Sequence, residues 1–323
     1  MILVTGAAGF IASCLCQKLL HNSETERLFI ADDFNGELKS KNVPTDDRVV
    51  KIARNELFEY LKTESPSLKA IYHLGARTDT SEQDMELFYD MNINYTKQLW
   101  NYATENQVPF LYASSAATYG DGNLGFSDEH ALIERLKPLN PYAESKQIFD
   151  LWALKQTITP PRWFGVKFFN VYGPNEFHKA RMASVILHTF RQIQATGKMK
   201  LFRSHKAEIK DGEQRRDFIY IEDAIDCCEY LITKEVDSGI YNIGTGVART
   251  FWDLVTNTFK AMGVKEDISF IDIPLDIREN YQYYTCAENN KLKQAGYKKP
   301  FHSLEQGVEK YVKQFLLKGE YYS

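Results

Sequence analysis

The chain opens with a strand, a glycine-rich turn and a helix, and this order constrains its fold more than any other feature. The apolar run Ile2-Leu3-Val4 leads into Thr5-Gly6-Ala7-Ala8-Gly9-Phe10-Ile11-Ala12, and a second apolar run, Leu28-Phe29-Ile30-Ala31, ends in Asp32-Asp33. A helix N-terminus behind a glycine turn binds a pyrophosphate, and an acid about 20 residues further on binds the adenine ribose. Ala12 replaces the third glycine of the fingerprint and is still small enough for close packing of helix on strand. The sequence therefore predicts a dinucleotide-binding unit at its start.

Strand-like and helix-like segments continue to alternate after this unit. The predicted strands are Val49–Ile52, Ala70–Leu74, Phe110–Ala113 and Gly165–Phe169, and the predicted helices are Glu56–Leu61, Asp84–Tyr102 and Tyr142–Lys155. This alternation predicts an α/β fold with a doubly wound parallel (Rossmann) sheet, in which ligands bind beyond the C-terminal ends of the strands. We assign residues 1–172 with 217–245 to the dinucleotide-binding domain. Residues 173–216 with 246–323 are expected to form a smaller C-terminal α/β substrate-binding domain.

The regular alternation loosens after Gly173-Pro174. Arg181 to Thr196 is predicted to be a helix, and Ser204 to Arg216 a long charged loop. Thr250 to Asp253 has the pattern of a capping box at the start of a helix. The last predicted helix runs from Leu304 to Leu317.

Composition argues against several classes of protein. The net charge of −4 disfavours a nucleic-acid binder, and no apolar run approaches the roughly 20 residues that cross a bilayer. The five cysteines have no metal-ligand spacing, and four of them fall in apolar helices, which predicts buried thiols in a reducing compartment. The short run before the first turn leaves no room for a signal peptide. We therefore expect a cytoplasmic enzyme with no metal, no membrane attachment and no nucleic-acid partner.

A tyrosine and a lysine four residues apart are the strongest candidates for catalysis. Tyr142 and Lys146 lie one turn apart on the same face of a predicted helix, downstream of Ser114-Ser115. An ammonium group beside the phenol stabilises the phenolate, so Lys146 is expected to lower the Tyr142 pKa from about 10. Such a tyrosine can take a proton from a sugar hydroxyl while a nicotinamide ring takes the hydride. The spacing alone is common, and its order after the glycine turn and the serines is what favours catalysis.

Further motifs make the chain similar to a known family. They are Leu111-Tyr112-Ala113-Ser114-Ser115-Ala116-Ala117-Thr118-Tyr119-Gly120, Phe169-Asn170-Val171-Tyr172-Gly173-Pro174, His178-Lys179 before Met182-Ala183-Ser184, Arg216-Asp217-Phe218, Asn242-Ile243-Gly244-Thr245-Gly246 and Ala295-Gly296-Tyr297. From end to end the chain resembles the extended short-chain dehydrogenase/reductases, and within them the bacterial ADP-L-glycero-D-manno-heptose 6-epimerases. The Tyr142/Lys146 pair and the glycines mark the superfamily. His178-Lys179 together with Ala116-Ala117 points to the heptose enzymes.

The resemblance implies a reaction and the residues that catalyse it. In this family a bound nicotinamide removes a hydride from C6 of the heptose in an ADP-sugar, the ketone presents its opposite face, and the hydride returns. The product serves lipopolysaccharide core synthesis. Each face of the ketone needs a proton acceptor and donor, and the residues that match these roles are Tyr142 and Lys179. Ser115 would hydrogen-bond the reacting oxygen, and Lys146 would hold the nicotinamide ribose.

The resemblance also implies the binding residues. Those that match the cofactor site are Gly6, Gly9, Phe10, Ile11, Asp32, Asp33, Lys39, Leu74, Gly75, Ala76, Arg77, Thr78, Lys146, Val171 and Lys179. Those that match the substrate site are Ser115, Asn170, Arg181, His188, Phe202, Arg216 and Tyr281. Asn170 could instead cap a strand, His188 could lie on a polar helix face, and Arg216 could be a surface arginine. The expected partners are an ADP-sugar and further copies of the chain, in a homo-oligomer for which the family suggests a pentamer.

The chain departs from the family at positions that affect cofactor and substrate. Asp33 adds a second carboxylate that repels a 2′-phosphate and so favours NAD. Lys39 matches a residue that contacts the NADP phosphate, and on this ground we expect NADP, with NAD as the alternative. Arg181 replaces a small hydroxyl residue of the substrate site, which leaves the exact sugar open. Arg77 replaces a smaller residue near the cofactor.

Three other functions fit part of the pattern. A UDP-sugar 4-epimerase would share Ser115, Tyr142 and Lys146 but would not need Lys179. A sugar 4,6-dehydratase needs an acid to expel the C6 hydroxyl, and Ala116-Ala117 stand where that family has Asp-Glu. A catalytically inactive dinucleotide-sensing regulator on the same fold would commonly lose the tyrosine–lysine pair, which this chain keeps. The sequence therefore predicts an epimerase.

Overall fold

The computed structural model describes residues 1–278 and 281–322, apart from the side chains of residues 276 and 277. The strands are β1 (Ile2–Thr5), β2 (Leu28–Asp32), β3 (Val49–Ala53), β4 (Ala70–His73), β5 (Phe110–Ser115), β6 (Trp163–Phe168), β7 (Asn170–Tyr172), β8 (Met199–Phe202), β9 (Arg215–Tyr220), β10 (Gly239–Ile243), β11 (Ala248–Thr250) and β12 (Ile268–Ile271). The α-helices are α1 (Phe10–His21), α2 (Glu37–Ser40), α3 (Leu57–Glu64), α4 (Met85–Phe88), α5 (Tyr95–Glu105), α6 (His130–Ile133), α7 (Pro141–Leu154), α8 (Val185–Thr196), α9 (Ile221–Thr233), α10 (Phe251–Met262), α11 (Leu275–Arg278), α12 (Asn290–Gln294) and α13 (Leu304–Lys310). Segments of 3-10 helix lie at Arg54–Glu56, Ala116–Tyr119 and Phe177–Met182, and π-helical segments at Tyr89–Asn94 and Tyr311–Leu316.

A seven-stranded sheet in the order β3-β2-β1-β4-β5-β6-β10 forms the centre of the molecule, and all of its strand pairs are parallel. Short apolar strands followed by helices produce this arrangement, because parallel neighbours need a crossover on one face or the other. The order reverses direction between β1 and β4, so a crevice opens beyond the C-terminal ends of these two strands. The predicted doubly wound sheet is confirmed.

Two hydrophobic clusters cover the two faces of this sheet. One contains α1 and α9 with residues such as Leu15 and Ile225, and the other contains α5 and α7 with Trp100 and Phe149. Burying large side chains on both faces supplies most of the stability of such a sheet, at about 25 cal/mol per Å² of apolar surface. The rigid sheet fixes the strand ends from which the site is built.

Two smaller sheets lie beside the central one. Strand β7 leaves the line of β6 at Phe169 and pairs in parallel with β9, which pairs antiparallel with β11. Strands β8 and β12 form a separate parallel pair. Strand β7 therefore carries the chain out of the central sheet, towards the segment that contains Lys179.

Most local expectations are confirmed, with different bounds at Arg181 and Arg216. The loop predicted from Ser204 to Arg216 ends before β9, which begins at Arg215. The capping box is present, since Thr250 Oγ1 accepts from the Asp253 amide at 2.9 Å and the Asp253 carboxylate accepts from the Thr250 amide at 3.3 Å. Cys14, Cys16, Cys227 and Cys228 are buried thiols, as predicted. The helix predicted from Arg181 begins at Val185 instead, because Ser184 caps it by accepting from the Leu187 amide.

No helix within residues 1–278 or 281–322 is long and apolar enough to cross a membrane.

Candidate active site

The glycine turn lies at the C-terminal end of β1, where backbone approaches backbone. Gly6 has a φ of +70°, and a Cβ on it would lie 2.5 Å from the Gly75 main chain. A Cβ on Gly9 would lie 2.9 Å from the Gly6 carbonyl oxygen. Gly9 is the N-cap of α1 and has no side chain to cap the amides of Phe10 and Ile11. These amides are available to a pyrophosphate, so the turn fits a dinucleotide.

Asp32 at the end of β2 connects the turn to the adenosine side of the crevice. One oxygen of its carboxylate accepts from the Ala8 amide at 2.9 Å, and the other accepts from Lys39 Nζ at 2.6 Å. Lys39 also donates to the Asp33 carbonyl oxygen at 2.9 Å. The predicted ribose acid and the predicted phosphate lysine are thus in direct contact.

A cavity of about 500 Å³ adjoins these residues. It is lined by Asp32, Asp33, Phe34, Asn35, Ala53, Arg54 and Asn55. The end of β3 contributes Arg54 and Asn55, which the sequence interpretation missed. Strand β3 pairs with β2 in parallel, so the residue after β3 had to lie beside the residue after β2. This register was the signal that could have identified them.

The loop after β4 forms the opposite wall of the crevice. It contains Leu74, Gly75, Ala76, Arg77 and Thr78, all predicted for the cofactor site. Asn92, in the π-helical segment, accepts from the Arg77 amide at 2.8 Å and donates to the Arg77 carbonyl at 3.0 Å and to Ser145 Oγ at 2.9 Å. Asn92 was not predicted, and it ties this loop to the helix that carries Tyr142.

Ser115, Tyr142 and Lys146 come together beyond the end of β5. Ser115 ends that strand, and Asn140 caps α7 by accepting from the Ala143 amide at 2.9 Å, which fixes Tyr142 in the first turn. Lys146 is one turn further along and donates from Nζ to the Ala113 carbonyl oxygen at 2.8 Å. The predicted face of α7 therefore meets the predicted serine.

The pKa values of this group differ from the sequence expectation. Burial raises the pKa of the Tyr142 phenol, while its hydrogen bond with Ser115 acts in the opposite direction. Burial lowers the pKa of Lys146 to about 8, against the attraction of Asp150. Lys146 was expected to lower the Tyr142 pKa, and this is wrong for the protein alone: burial dominates at Tyr142, and the ammonium of Lys146 donates to Ala113.

A buried ion pair lies directly beneath these residues. Lys167 on β6 and Asp150 on α7 are both fully buried, with their charged atoms 2.7 Å apart. Asp150 also accepts from Ser114 Oγ at 2.7 Å and from Tyr112 OH at 3.0 Å. Lys167 donates further to Thr118 Oγ1 at 2.6 Å. The network joins the strand end that carries Ser115 to the helix that carries Lys146.

Lys179 lies on the other side of the crevice, in the 3-10 segment after β7. Its Nζ lies 5.7 Å from the centre of the Phe10 ring, at the start of α1. Burial lowers the pKa of Lys179, and the charge of Glu176 acts against burial. Lys179 therefore borders the glycine turn, as expected for a residue of the cofactor site, with Val171 on the strand that leads to it.

Arg181 lies in the 3-10 segment before α8 and is directed to an acid. Its guanidinium donates to the Asp79 carboxylate at 2.9 Å, and Arg77 lies 3.8 Å from the same carboxylate. Both arginines that depart from the family are therefore neutralised by Asp79 in part. His188 on α8 lies 3.3 Å from the Arg181 carbonyl oxygen through Nε2.

Three predicted substrate residues form an aromatic and cationic cluster. The Arg216 guanidinium lies 5.4 Å from the centre of the Tyr281 ring, and Tyr281 packs edge-on against Phe202 at 6.2 Å. Arg216 is 7% exposed, which excludes the interpretation as an ordinary surface arginine. Asn170 begins β7 with an exposed side chain. A guanidinium held between rings suits a nucleotide diphosphate.

A metal has no evident place in the described residues. Among residues 1–278 and 281–322, no group of three or more His, Cys, Asp or Glu side chains could hold one.

Comparison with known proteins agrees with this geometry. The fold, with its glycine turn beyond β1, is that of an enzyme that uses a nicotinamide dinucleotide. The chain belongs to the NAD dependent epimerase/dehydratase family, which matches residues 2–244. This family membership confirms the predicted class of enzyme and the nicotinamide dinucleotide cofactor.

Relatives narrow the resemblance further. The ADP-L-glycero-D-manno-heptose-6-epimerase of Fusobacterium nucleatum is 43% identical over 100% of both chains. The crystal structure of the Helicobacter pylori ADP-L-glycero-D-manno-heptose-6-epimerase matches with a TM-score of 0.82 and 27% identity, over 97% of this chain and 95% of that one. The crystal structure of a Bacillus cereus UDP-glucuronic acid 4-epimerase in complex with UDP-glucuronic acid and NAD matches with a TM-score of 0.77 and 26% identity, over 97% of this chain and 99% of that one. The resemblance read from the motifs is confirmed.

Proposed function

We propose that this protein is an ADP-glyceromanno-heptose 6-epimerase that inverts C6 of the heptose in ADP-D-glycero-D-manno-heptose. The observation that supports this proposal most is that Lys179 lies beside the glycine turn. It offers a second group that can transfer a proton, in addition to Tyr142. The full-length identity to heptose epimerases supports the same conclusion. A UDP-sugar 4-epimerase remains the alternative that the test below must exclude.

A bound nicotinamide dinucleotide would supply the acceptor for the C6 hydride and its return to the opposite face of the carbon. One of Tyr142 and Lys179 takes the proton of the C6 hydroxyl as the hydride leaves, and the other gives a proton to the C6 oxygen as the hydride returns, each on one face of the carbon. Ser115 hydrogen-bonds that oxygen, and Lys146 lies beside the ribose. The pKa of Tyr142 is raised by burial and the pKa of Lys179 is lowered by burial, so the phenol keeps its proton while Lys179 gives up its own more readily. Lys179 without its proton can therefore take the proton in one half of the reaction, and the Tyr142 phenol can give one in the other half.

The remaining polar residues are proposed to bind the nucleotide sugar. Arg216, stacked against Tyr281, would take the diphosphate. Because Arg181 is paired with Asp79, it adds little net charge to the sugar site. This pairing supports a heptose substrate, because it reduces the charge that Arg181 would otherwise bring to the sugar site.

NADP is the proposed cofactor, with NAD as the alternative. Arg54 lines the adenosine cavity, and Lys39 pairs with Asp32, which lines it too. Both cations could pair with a 2′-phosphate, whereas Asp33 opposes it. Replacement of both cations with alanine should weaken NADP binding at least tenfold and leave NAD binding within about twofold, because one phosphate contact accounts for about 1–3 kcal/mol. Equal losses for both cofactors would show that no 2′-phosphate is recognised.

The decisive experiment has two parts. The cofactor is released by denaturation and identified by mass, and the holoenzyme is then given ADP-D-glycero-D-manno-heptose in heavy water and followed by NMR. We expect inversion at C6 with no deuterium entering C6, because the hydride returns from the cofactor. Inversion of UDP-galactose at C4 without action on the heptose would support the 4-epimerase instead. Tight cofactor binding with no turnover of any nucleotide sugar would support a regulator.

We also propose that the protein acts in the cytoplasm as a homo-oligomer, with a pentamer as the specific expectation. Light scattering coupled to size exclusion tests the oligomer directly, and a monomer at micromolar concentration would contradict it.

A further inference from the structure

The loop that carries Lys179 is anchored by two buried polar residues before it. Asn175 is fully buried and has a φ of +73°. It donates from Nδ2 to Ser13 Oγ on α1 at 3.0 Å, and its Oδ1 accepts from the Tyr322 amide at 2.8 Å. Asn42 donates to its carbonyl oxygen at 2.9 Å. The loop is thus joined to three distant parts of the chain by one residue.

Glu176 is the second anchor and lies closer to the lysine. It is 1% exposed, and its carboxylate accepts from Tyr311 OH at 2.9 Å and from Ser184 Oγ at 2.6 Å. The Ser184 amide donates to the same carboxylate. The main-chain carbonyl oxygen of Glu176 accepts from the Lys179 amide at 2.9 Å, and this bond closes the turn on which Lys179 lies. The main chain of Glu176 therefore contacts Lys179. Its side chain contacts the start of α8 and the π-helical segment Tyr311–Leu316.

The donors that bond this carboxylate are all neutral, so none of them balances a negative charge on it. A buried carboxylate is costly unless a cation lies near it. Burial raises the pKa of Glu176, and its hydrogen bonds and the charge of Lys179 oppose that rise. At Lys179 burial lowers the pKa, and Glu176 opposes that fall. Each group thus supports the charged state of the other.

We infer that Glu176 is a positioning residue for Lys179, and that the segment Tyr311 to Tyr322 acts as the clamp that holds Glu176 and Asn175 in place. This inference rests on the proposed function, in which Lys179 transfers a proton. Tyr321 adds to the clamp, since its ring packs against Phe177 at 5.1 Å.

Other charged groups also face this region. His178 follows Glu176 on the same loop, and its pKa is lowered to about 4 by burial and then by Lys179 and Lys39. Asp32 lies across the crevice from His178 and acts in the opposite direction. From the C-terminal side only the neutral Tyr311 phenol contacts Glu176 among the bonds described above. None of these groups holds Lys179 by a main-chain bond as Glu176 does.

The test replaces Glu176 with glutamine in the holoenzyme. Glu176→Gln keeps the size of the side chain and removes its charge, so we expect kcat to fall about tenfold or more while KM for the ADP-heptose changes less than about twofold. The Lys179 pKa should fall, because the group that raises it is gone. The limb of the kcat profile set by Lys179 should therefore move to lower pH.

A second readout does not need the substrate. Competitive acetylation of the holoenzyme at a series of pH values, read by peptide mass spectrometry, gives the titration midpoint of Lys179. We expect a lower midpoint in Glu176→Gln than in the unaltered protein. If the unaltered protein does not turn over ADP-heptose, the proposed function fails, and this midpoint still decides the inference.

Glu222→Gln is the matched control. Glu222 pairs with Lys310 Nζ at 2.6 Å, next to Tyr311 in the chain, and does not contact the loop in these bonds. It should leave kcat and the Lys179 midpoint unchanged. An equal loss of kcat in this control, or an unchanged midpoint and kcat in Glu176→Gln, would overturn the inference.

Tyr311→Phe decides the question if Glu176→Gln does not fold. It removes one hydrogen bond from the carboxylate and keeps the ring, so kcat should fall about threefold with the same direction of shift at Lys179. An unaltered kcat and midpoint in a folded Tyr311→Phe protein would overturn the inference as well.

Discussion

On one side of the active site Ser115, Tyr142 and Lys146 lie on a strand end and a helix of 14 residues, whereas on the other side Lys179 lies on an irregular loop. The first side is supported from below by Asp150 and Lys167, which are one buried pair between adjacent elements. The second side is held mainly by side-chain hydrogen bonds of Asn175 and Glu176, several of them to parts of the chain far away in sequence. Its loop also contains Ala180 with a φ of +47° and a ψ of −122°, where an alanine is strained.

The difference shows how one fold can supply two proton-transferring groups. The first group follows from the parallel sheet, because strand ends and the first turns of helices meet at one edge. The second has to reach the same crevice from outside the sheet, so its loop needs anchors of its own. We expect substitution of a reacting group on either side to affect chemistry alone, and substitution of the buried residues that hold these groups in place to affect stability as well.

The largest expected effect is that of Tyr142→Phe. It removes one hydroxyl from a position held by regular structure, so turnover should fall about 10² to 10⁴-fold while the melting temperature changes little. NMR of C6 inversion and differential scanning calorimetry measure the two quantities. Full turnover of this variant would show that Tyr142 does not transfer a proton, and Lys179 would be left as the group that does.

Lys167→Met tests the support beneath the first side. It leaves the Asp150 carboxylate buried without its cation, and the free energy of unfolding should fall by about 3 kcal/mol or more. The double variant with Asp150→Asn should lose less than the sum of the two single variants, because the pair is removed together. Urea unfolding of all three proteins provides the comparison, and additive losses would show that the ion pair is not a unit.

Ala180→Gly tests the strain in the loop and has the smallest expected effect. Glycine adopts this backbone conformation without a penalty, and relief of strain should outweigh the entropy cost by about 1 kcal/mol in favour of the folded state. Ala195→Gly, on the exposed face of α8, is the matched control and should lose about 1 kcal/mol. Loss of stability in both variants would mean that Ala180 is not strained.

The sequence predicted the first side because its contacts are local. The spacing of Tyr142 and Lys146 fixes them on one helix face, and the strand before Ser115 fixes the serine at the sheet edge. What failed there was the pKa of Tyr142, since burial depends on everything packed around the phenol and not on the spacing.

On the second side, the resemblance identified Lys179, but the sequence did not predict the residues that hold its loop in place. Asn175 contacts Ser13 across 162 positions and Glu176 contacts Tyr311 across 135, and no local pattern encodes such pairs. A helix was predicted to begin at Arg181, and the partner of this arginine, Asp79, is 102 positions away. Arg54 was missed for the same reason, since only the register of β2 and β3 brings it to the cavity.

The most direct test of two proton-transferring groups is the turnover of Lys179→Met with ADP-D-glycero-D-manno-heptose, measured by NMR on holoenzyme with its full complement of cofactor. We expect C6 inversion to slow at least about 100-fold, with cofactor content and melting temperature retained, because one of the two groups that move the proton of the C6 oxygen is lost. Unchanged turnover in a folded, cofactor-loaded Lys179→Met protein would contradict the account and leave Tyr142 as the sole group that moves the proton.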